Sequence, residues 1–164
     1  MPQILPQGTN AFLDTRSYDE ASRADQALNP VADMTVPIIQ VSWGELIDKM
    51  TILEIKEQRL KSTEALANVR RELATLVNVA QDILMQRSDL ACIKKELKSV
   101  NEALWDIEDQ IRAKEAAKSF DQQFIDLARS VYLNNDKRGN LKRQISALLD
   151  SELVEEKQYT PYSA

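Results

Sequence analysis

The clearest structural signal in the sequence is LACIKKELKSVNEALWDIEDQI, residues 90–111. Its apolar residues recur at alternating intervals of three and four, at Leu90, Ile93, Leu97, Val100, Leu104, Ile107 and Ile111. Because an α-helix has about 3.6 residues per turn, these side chains form one stripe along a single helical face. The pattern predicts a long amphipathic helix around which the other elements pack.

Composition extends the helical interpretation beyond this stretch. The 164 residues include three Gly and five Pro, and neither type occurs between Glu45 and Arg138. Aromatic residues make up 5% of the chain, which disfavours a β-sandwich or barrel. Apolar periodicity predicts four helices, at 43–61, 64–86, 89–118 and 121–150. We therefore expect an all-α fold, an antiparallel bundle of three or four long helices with coiled-coil-like packing.

The two ends of the chain differ from this helical region. Residues 1–36 contain three Pro, and their apolar side chains are scattered rather than periodic, which predicts an extended or disordered N-terminal arm. Such an arm either reaches a protein partner or is a simple tail. A β-branched, strand-like stretch, 36–41, leads into the helical domain at 37–160, and 161–164 form a short C-terminal tail.

Several classes of function are disfavoured by the residues present. The net charge of −5 is mixed along the chain, so no basic face is predicted for nucleic acid. The chain has no His, which excludes Ser-His-Asp triads and imidazole zinc sites, and Cys92 is the one cysteine. No apolar run is long enough to span a membrane, and no secretory leader is evident. We expect a cytoplasmic protein without a cofactor.

The apolar pattern of the last helix fails at residues 132–140, YLNNDKRGN, which we call the polar segment. A helix break is one interpretation, because Asn, Asp and Gly favour turns. A second is a buried polar layer that fixes the register of the bundle. A third is a ligand site in which Arg138 binds a carboxylate or phosphate, while Asn135 and Asp136 orient it.

The candidate ligand-binding residues are Tyr132, Asn135, Asp136 and Arg138 of the polar segment, with Trp105 and Glu108. The acidic stretch around Trp105 also fits a solvated helix face, since Glu108 lies four residues before Arg112. Carboxylates are ligands for Mg²⁺ or Mn²⁺, but those of this chain show no metal-binding spacing. No catalytic residue and no metal ligand is assigned.

Three stretches together resemble an uncharacterised bacterial family, domain of unknown function 6165: residues 41–56 (VSWGELIDKMTILEIK), 104–109 (LWDIED) and 154–157 (VEEK). The resemblance covers about residues 37–160 and includes Tyr132, Asn135, Asp136 and Arg138. It implies a helical domain and names no reaction. The family is associated loosely with genes for surface polysaccharides and glycosyl transfer.

Two functions from different classes are compatible with these observations. The first is a non-enzymatic interaction or scaffold protein that self-associates, most simply as a dimer, because long regular helices often pack against copies of themselves. The second is an accessory or catalytic protein of surface-polysaccharide or nucleotide-sugar metabolism that binds a polar ligand at 132–138. The absence of His, of a Gly-rich phosphate loop and of a nucleophile motif favours the first.

Overall fold

The structure, a computed structural model, describes residues 36–158. Within that range the chain forms four helices and no strand: α1 (Trp43–Arg59), α2 (Thr63–Gln86), α3 (Ser88–Ala116) and α4 (Gln122–Leu148). The prediction of an all-α fold with four helices is therefore confirmed, and the observed bounds lie close to the predicted ones. None of these helices is sufficiently long and apolar to cross a lipid bilayer.

The chain divides into two units, Met1–Ile39 and Gln40–Ala164, and all four helices belong to the second. The predicted N-terminal arm lies outside the described residues, apart from its last residue, and so does the predicted tail at 161–164. The strand-like stretch 36–41 is not a strand. A strand requires a partner for its backbone groups, and residues 36–158 contain no second strand.

Side-chain caps define the start of three helices. Ser42 Oγ accepts a hydrogen bond from the Glu45 amide at 3.2 Å, and Ser62 Oγ accepts one from Ala65 at 3.3 Å. The second cap confirms that a new helix begins after residue 60. The Glu45 carboxylate does not bond back to the Ser42 amide, as it would in a capping box, and pairs with Lys142 instead.

The start of α3 differs from the prediction. The helix begins one residue earlier than predicted, at Ser88, and Arg87 precedes it without a side-chain cap. Asp89 supplies part of the missing cap, because its carboxylate accepts a hydrogen bond from the Leu90 amide at 3.0 Å. The same carboxylate forms an ion pair with Arg87. The connection between α2 and α3 is therefore a single non-helical residue.

Helices α1 and α3 are the central pair of the bundle, because each of them contacts all three other helices. Helix α1 packs against α2, α3 and α4, whereas α2 and α4 do not contact one another. Its buried residues lie on several faces: Gly44, Ile47, Asp48, Met50, Thr51, Leu53 and Ile55. Residues 90–111 of α3 thus share the central position, as predicted, with α1, whose buried residues cover more than one face.

The N-terminus of α1 lies directly against α4. A Cβ atom placed on Gly44 would lie 2.3 Å from the backbone oxygen of Lys142, so only glycine fits this crossing. The Gly44 amide donates to Ser146 Oγ at 3.2 Å, and the Trp43 amide donates to Ser151 Oγ at 3.2 Å. Hydroxyls from the end of the chain thus satisfy amides at the start of α1 that have no partner within the helix.

Helices α3 and α4 form an antiparallel hairpin that continues past the core. The main core cluster includes Leu90 to Val100 at the start of α3 and Leu141 to Leu149 at the end of α4, which the antiparallel arrangement brings together. Residues 107–134, which we call the distal hairpin, contribute nothing to that cluster. The side-chain hydrogen bonds of the distal hairpin join its residues to one another, or to Trp105 and Asp106 in the adjacent turn of α3.

The turn of the distal hairpin is well ordered by local interactions. Asp121 accepts a hydrogen bond from the Phe124 amide at 3.0 Å and is thus the cap of α4. The Phe120 and Phe124 rings stack edge to face, with their centres 5.3 Å apart. The Lys114 ammonium 2.6 Å away and the Phe124 amide lower the pKa of Asp121 to about 2. The cap therefore remains charged at any pH well above that value.

Candidate functional site

Helix α4 runs without interruption through the polar segment. The interpretation of 132–140 as a helix break is therefore wrong. The segment remains helical because its polar side chains form hydrogen bonds within α4 and with neighbouring helices. The Asn134 side-chain amide, for example, donates to the Ser130 carbonyl at 2.8 Å, one turn earlier.

Arg138 makes a two-pronged ion pair with a carboxylate of α1. Its Nε lies 2.9 Å from Asp48 Oδ1 and its Nη2 lies 2.5 Å from Asp48 Oδ2. The Asp48 side chain is 3% exposed and that of Arg138 is 28% exposed. The hydrogen bonds to Asp48 raise the pKa of the guanidinium. A carboxylate this deeply buried requires such a partner, since an unpaired buried charge is strongly destabilising.

Asn101 extends this pair to the third helix. Its Nδ2 donates to Asp48 Oδ1 at 2.8 Å and to Thr51 Oγ1 at 2.9 Å. The Thr51 hydroxyl in turn donates to the Asp48 carbonyl at 2.8 Å. Asp48, Thr51, Asn101 and Arg138 thus form a polar layer that joins α1, α3 and α4, as the second interpretation of the polar segment expects.

Sequence patterns do not identify Asp48 or Asn101 as members of this layer. A signal for Asp48 is present, however. It lies next to Ile47 and near Met50 in a helix that is apolar on several faces, so its carboxylate is buried with them. Asn101 follows Val100 at the edge of the α3 stripe, where a polar residue is also compatible with exposure to solvent.

A cavity of about 450 Å³ opens beside the polar layer. It is lined by residues of α1, α3 and α4: Ile52, Ile55, Asn101, Leu104, Trp105, Glu108, Asp109, Arg112, Asn135 and Arg138. Four of the six candidate ligand-binding residues, Trp105, Glu108, Asn135 and Arg138, therefore lie around one space. Asp136 lines a different cavity, and Tyr132, which is partly exposed on α4, lines neither.

The charged groups of this cavity are paired with one another or with the layer. Arg112 lies 3.4 Å from Glu108, and the Trp105 indole donates to Asp109 Oδ2 at 3.1 Å. Arg59 lies over the Trp105 ring, 5.7 Å from its centre, and also pairs with Asp106. A ligand here would meet an aromatic ring and both signs of charge, and it would have to compete with existing ion pairs.

The Glu54 carboxylate of α1 is used in two ion pairs with lysines of α3. Glu54 Oε1 lies 2.5 Å from Lys94 Nζ, and Glu54 Oε2 lies 3.1 Å from Lys98 Nζ. Burial raises the pKa of Glu54, but the hydrogen bonds and charges of these two lysines outweigh it, and the net pKa is lowered. Within residues 36–158, no group of three metal-ligating side chains converges.

A second charged cluster joins α1, α4 and the C-terminal segment, residues 149–158. The Lys142 side chain is 7% exposed, and its Nζ lies 2.5 Å from both Glu45 Oε1 and Glu155 Oε2. The Nζ of Lys157 lies 3.0 Å from the other carboxylate oxygen of Glu155, Oε1. Burial lowers the pKa of Lys142, but the two carboxylates outweigh it, and the net pKa is raised. The cluster holds the C-terminal segment against the bundle.

Comparison with known proteins identifies the family of this chain. The pattern of DUF6165, a family of unknown function, matches residues 37–164. The chain belongs to the DUF6165 family. The match covers the four helices, the polar layer and the C-terminal segment, so the resemblance on 41–56, 104–109 and 154–157 is confirmed. No curated protein and no solved structure matches the chain.

Proposed function

We propose that this DUF6165 protein is a non-enzymatic interaction protein that self-associates through its distal hairpin. The supporting observation is a change of burial along one stripe. Leu90, Leu97 and Leu104 of the α3 stripe are buried, with Ile93 and Val100 half-buried between them, whereas neither of its last two residues, Ile107 and Ile111, is more than half-buried. The apolar stripe of α3 extends along the distal hairpin, whereas α1, the third helix that packs on α3 and α4 near the core, does not extend that far.

The facing helix supports the same conclusion. Ile145 of α4 is fully buried in the core, while Phe124, Leu127 and Val131 on the distal part of the same face remain half-buried. Two helices can cover only one side of each other's apolar residues, and independent helical domains generally use three or more. A second copy of the hairpin would supply the two missing helices and complete a four-helix bundle.

The outer surface of the hairpin also carries exposed apolar side chains. Phe120 lies at the turn, and Ile125 and Leu133 on α4 are 48% and 39% exposed. The charged residues nearby, such as Arg112 with Glu108 and Lys114 with Asp121, are paired within the hairpin and present both signs. Two copies can therefore approach without strong repulsion between like charges.

The test of self-association is the mass of the protein in solution. We expect twice the chain mass of 18.6 kDa for the wild-type protein, measured by light scattering after gel filtration. Ile125→Glu with Leu133→Glu places two carboxylates on the proposed interface and is expected to weaken association by roughly a hundredfold or more, because each carboxylate loses its water there. This variant should elute at the mass of one chain with its helix content unchanged.

A matched control separates this interface from general surface hydrophobicity. Val79 and Met85 of α2 are even more exposed than Ile125, and they lie outside the hairpin. Val79→Glu with Met85→Glu should leave the mass at twice that of the chain. A wild-type protein that remains a single chain at all concentrations, or a control variant that dissociates equally, would contradict the proposal.

A second candidate function is binding of a polar ligand, such as a nucleotide sugar, in the cavity of about 450 Å³. The observation that favours it is the placement of Trp105, Glu108, Asn135 and Arg138 around one space, with a volume in the usual range for small-molecule sites. Titration with UDP-glucose should then change the fluorescence of Trp105. The change should be absent in Trp105→Phe, which retains Trp43; no change in the wild-type protein would count against this candidate.

A further inference from the structure

A second cavity, of about 230 Å³, lies between α4 and the C-terminal segment. Its lining consists of Asn135, Asp136, Gly139, Asn140, Arg143 and Lys157. The five residues from α4 follow a spacing of one and three, which places them on one helical face, away from the buried Leu141 and Ile145. Lys157 comes from the C-terminal segment and lies across that face.

Two cationic groups converge above Gly139. A Cβ atom on this glycine would lie 3.6 Å from the Lys157 ammonium nitrogen and 3.9 Å from Arg143 Nη1. Both groups therefore approach one point on the helix surface where no side chain occupies the space. Like charges brought this close repel each other, and an anion placed between them relieves the repulsion.

Both cations retain donors for such an anion. A lysine ammonium has three N–H donors and a guanidinium has five. Lys157 makes an ion pair with Glu155 at 3.0 Å, and Arg143 Nη2 donates to Asn140 Oδ1 at 2.5 Å. Each of these contacts uses only some of the N–H donors of the ammonium or guanidinium group. The side-chain amides of Asn135 and Asn140 add further donors at the rim.

Asp136 sets the kind of anion that fits. Its carboxylate lies in the same lining, so an anion without a proton is repelled by one wall of the cavity while the other attracts it. A carboxylate offers about four lone-pair sites and can accept an additional hydrogen bond from a protonated oxygen. Inorganic phosphate retains a proton near neutral pH, and a phosphomonoester can gain one because its second pKa is about 6, whereas sulfate stays unprotonated. The lining therefore favours phosphate over sulfate.

The size of the cavity limits the ligand further. Sites for drug-sized molecules usually measure about 300–1,000 Å³, and this cavity is smaller. We propose that it binds a phosphate group, either inorganic phosphate or the head group of a small phosphomonoester, between Arg143 of α4 and Lys157 of the C-terminal segment. The ligand joins these two elements, and its binding does not depend on association of the distal hairpin.

The experiment measures binding of inorganic phosphate to the full chain by calorimetry, in a buffer of low ionic strength without other phosphate or sulfate. We expect Arg143→Gln and Lys157→Gln each to weaken binding at least tenfold, because each removes one of the two converging cations. Lys137→Gln is the matched control, since it removes the same charge from an exposed position of α4 outside the lining. It should bind phosphate as the wild-type protein does.

Two further arms test the selectivity and the source of the phosphate. The wild-type protein should bind phosphate more tightly than sulfate, and Asp136→Asn should abolish that preference. Glycerol 3-phosphate that binds as tightly as inorganic phosphate identifies a head group, and much weaker binding identifies the free ion. No heat of binding in the wild-type protein, or an equal loss in Lys137→Gln, would overturn the proposal. Circular dichroism checks that every variant is folded.

Discussion

Arg138→Met is expected to lower the free energy of unfolding by about 3–5 kcal/mol, because it leaves the Asp48 carboxylate buried without its cationic partner. The Asp48 side chain is 3% exposed, so water cannot replace the two hydrogen bonds from the guanidinium. The Asn101 amide would be the principal remaining side-chain donor. Such a loss is a large part of the roughly 5–15 kcal/mol that stabilise a typical domain.

Urea unfolding followed by circular dichroism measures this effect, and two variants serve as controls. Arg112→Met removes an arginine from an exposed pair with Glu108 and should cost at most about 1 kcal/mol. Arg138→Met combined with Asp48→Leu removes both buried charges, and it should be less destabilised than Arg138→Met alone. If Arg138→Met costs no more than Arg112→Met, the polar layer does not stabilise the bundle.

Gly44→Ala is expected to destabilise the protein by about 1–3 kcal/mol or more, since the added methyl group would lie 2.3 Å from the Lys142 backbone oxygen. The clash is with backbone, which cannot move aside as a flexible side chain can. Helix α1 must therefore shift away from α4, and the hydrogen bond from the Gly44 amide to Ser146 would lengthen. Thermal or urea unfolding of the variant measures the loss.

Gly139→Ala is the matched control for this variant. Both glycines are helical, but a methyl group on Gly139 would meet Lys157 and Arg143 atoms at 3.6–3.9 Å, which is ordinary van der Waals distance. Alanine has a higher helix propensity than glycine, so this change should stabilise the protein by about 0.5–1 kcal/mol. Equal effects at the two positions would contradict the close crossing at Gly44.

The sequence predicts the number, bounds and type of the helices because periodicity and caps are local properties. The boundary between the first two helices and the start of the last helix near residue 121 follow from neighbouring residues, and both are confirmed. The central position of α1 in the bundle does not follow from neighbouring residues in the sequence. It depends on which helices surround it, and a regular stripe such as that of residues 90–111 gives no measure of how many neighbours a helix has.

The candidate site is predicted less completely for the same reason. The polar segment is visible in the sequence because Asn134 and Arg138 interrupt a stripe, but a break in a pattern does not identify the partner that compensates for it. Asp48 lies 90 residues before Arg138, and this separation is fixed by the packing of α1 on α4. The convergence of Arg143 and Lys157 over Gly139 likewise depends on the path of the C-terminal segment.

The bonds from the start of α1 to Ser146 and Ser151 have a consequence for the order in which the protein is made. They join residues 102 and 108 positions apart in the chain. A ribosome adds roughly 5–20 residues per second, so α1 waits on the order of 5–20 s for these partners after it has been synthesised. During that interval its apolar faces lack the cover of α4. The most enclosed helix of the finished domain is thus among the first parts of it to be made and among the last to be completed.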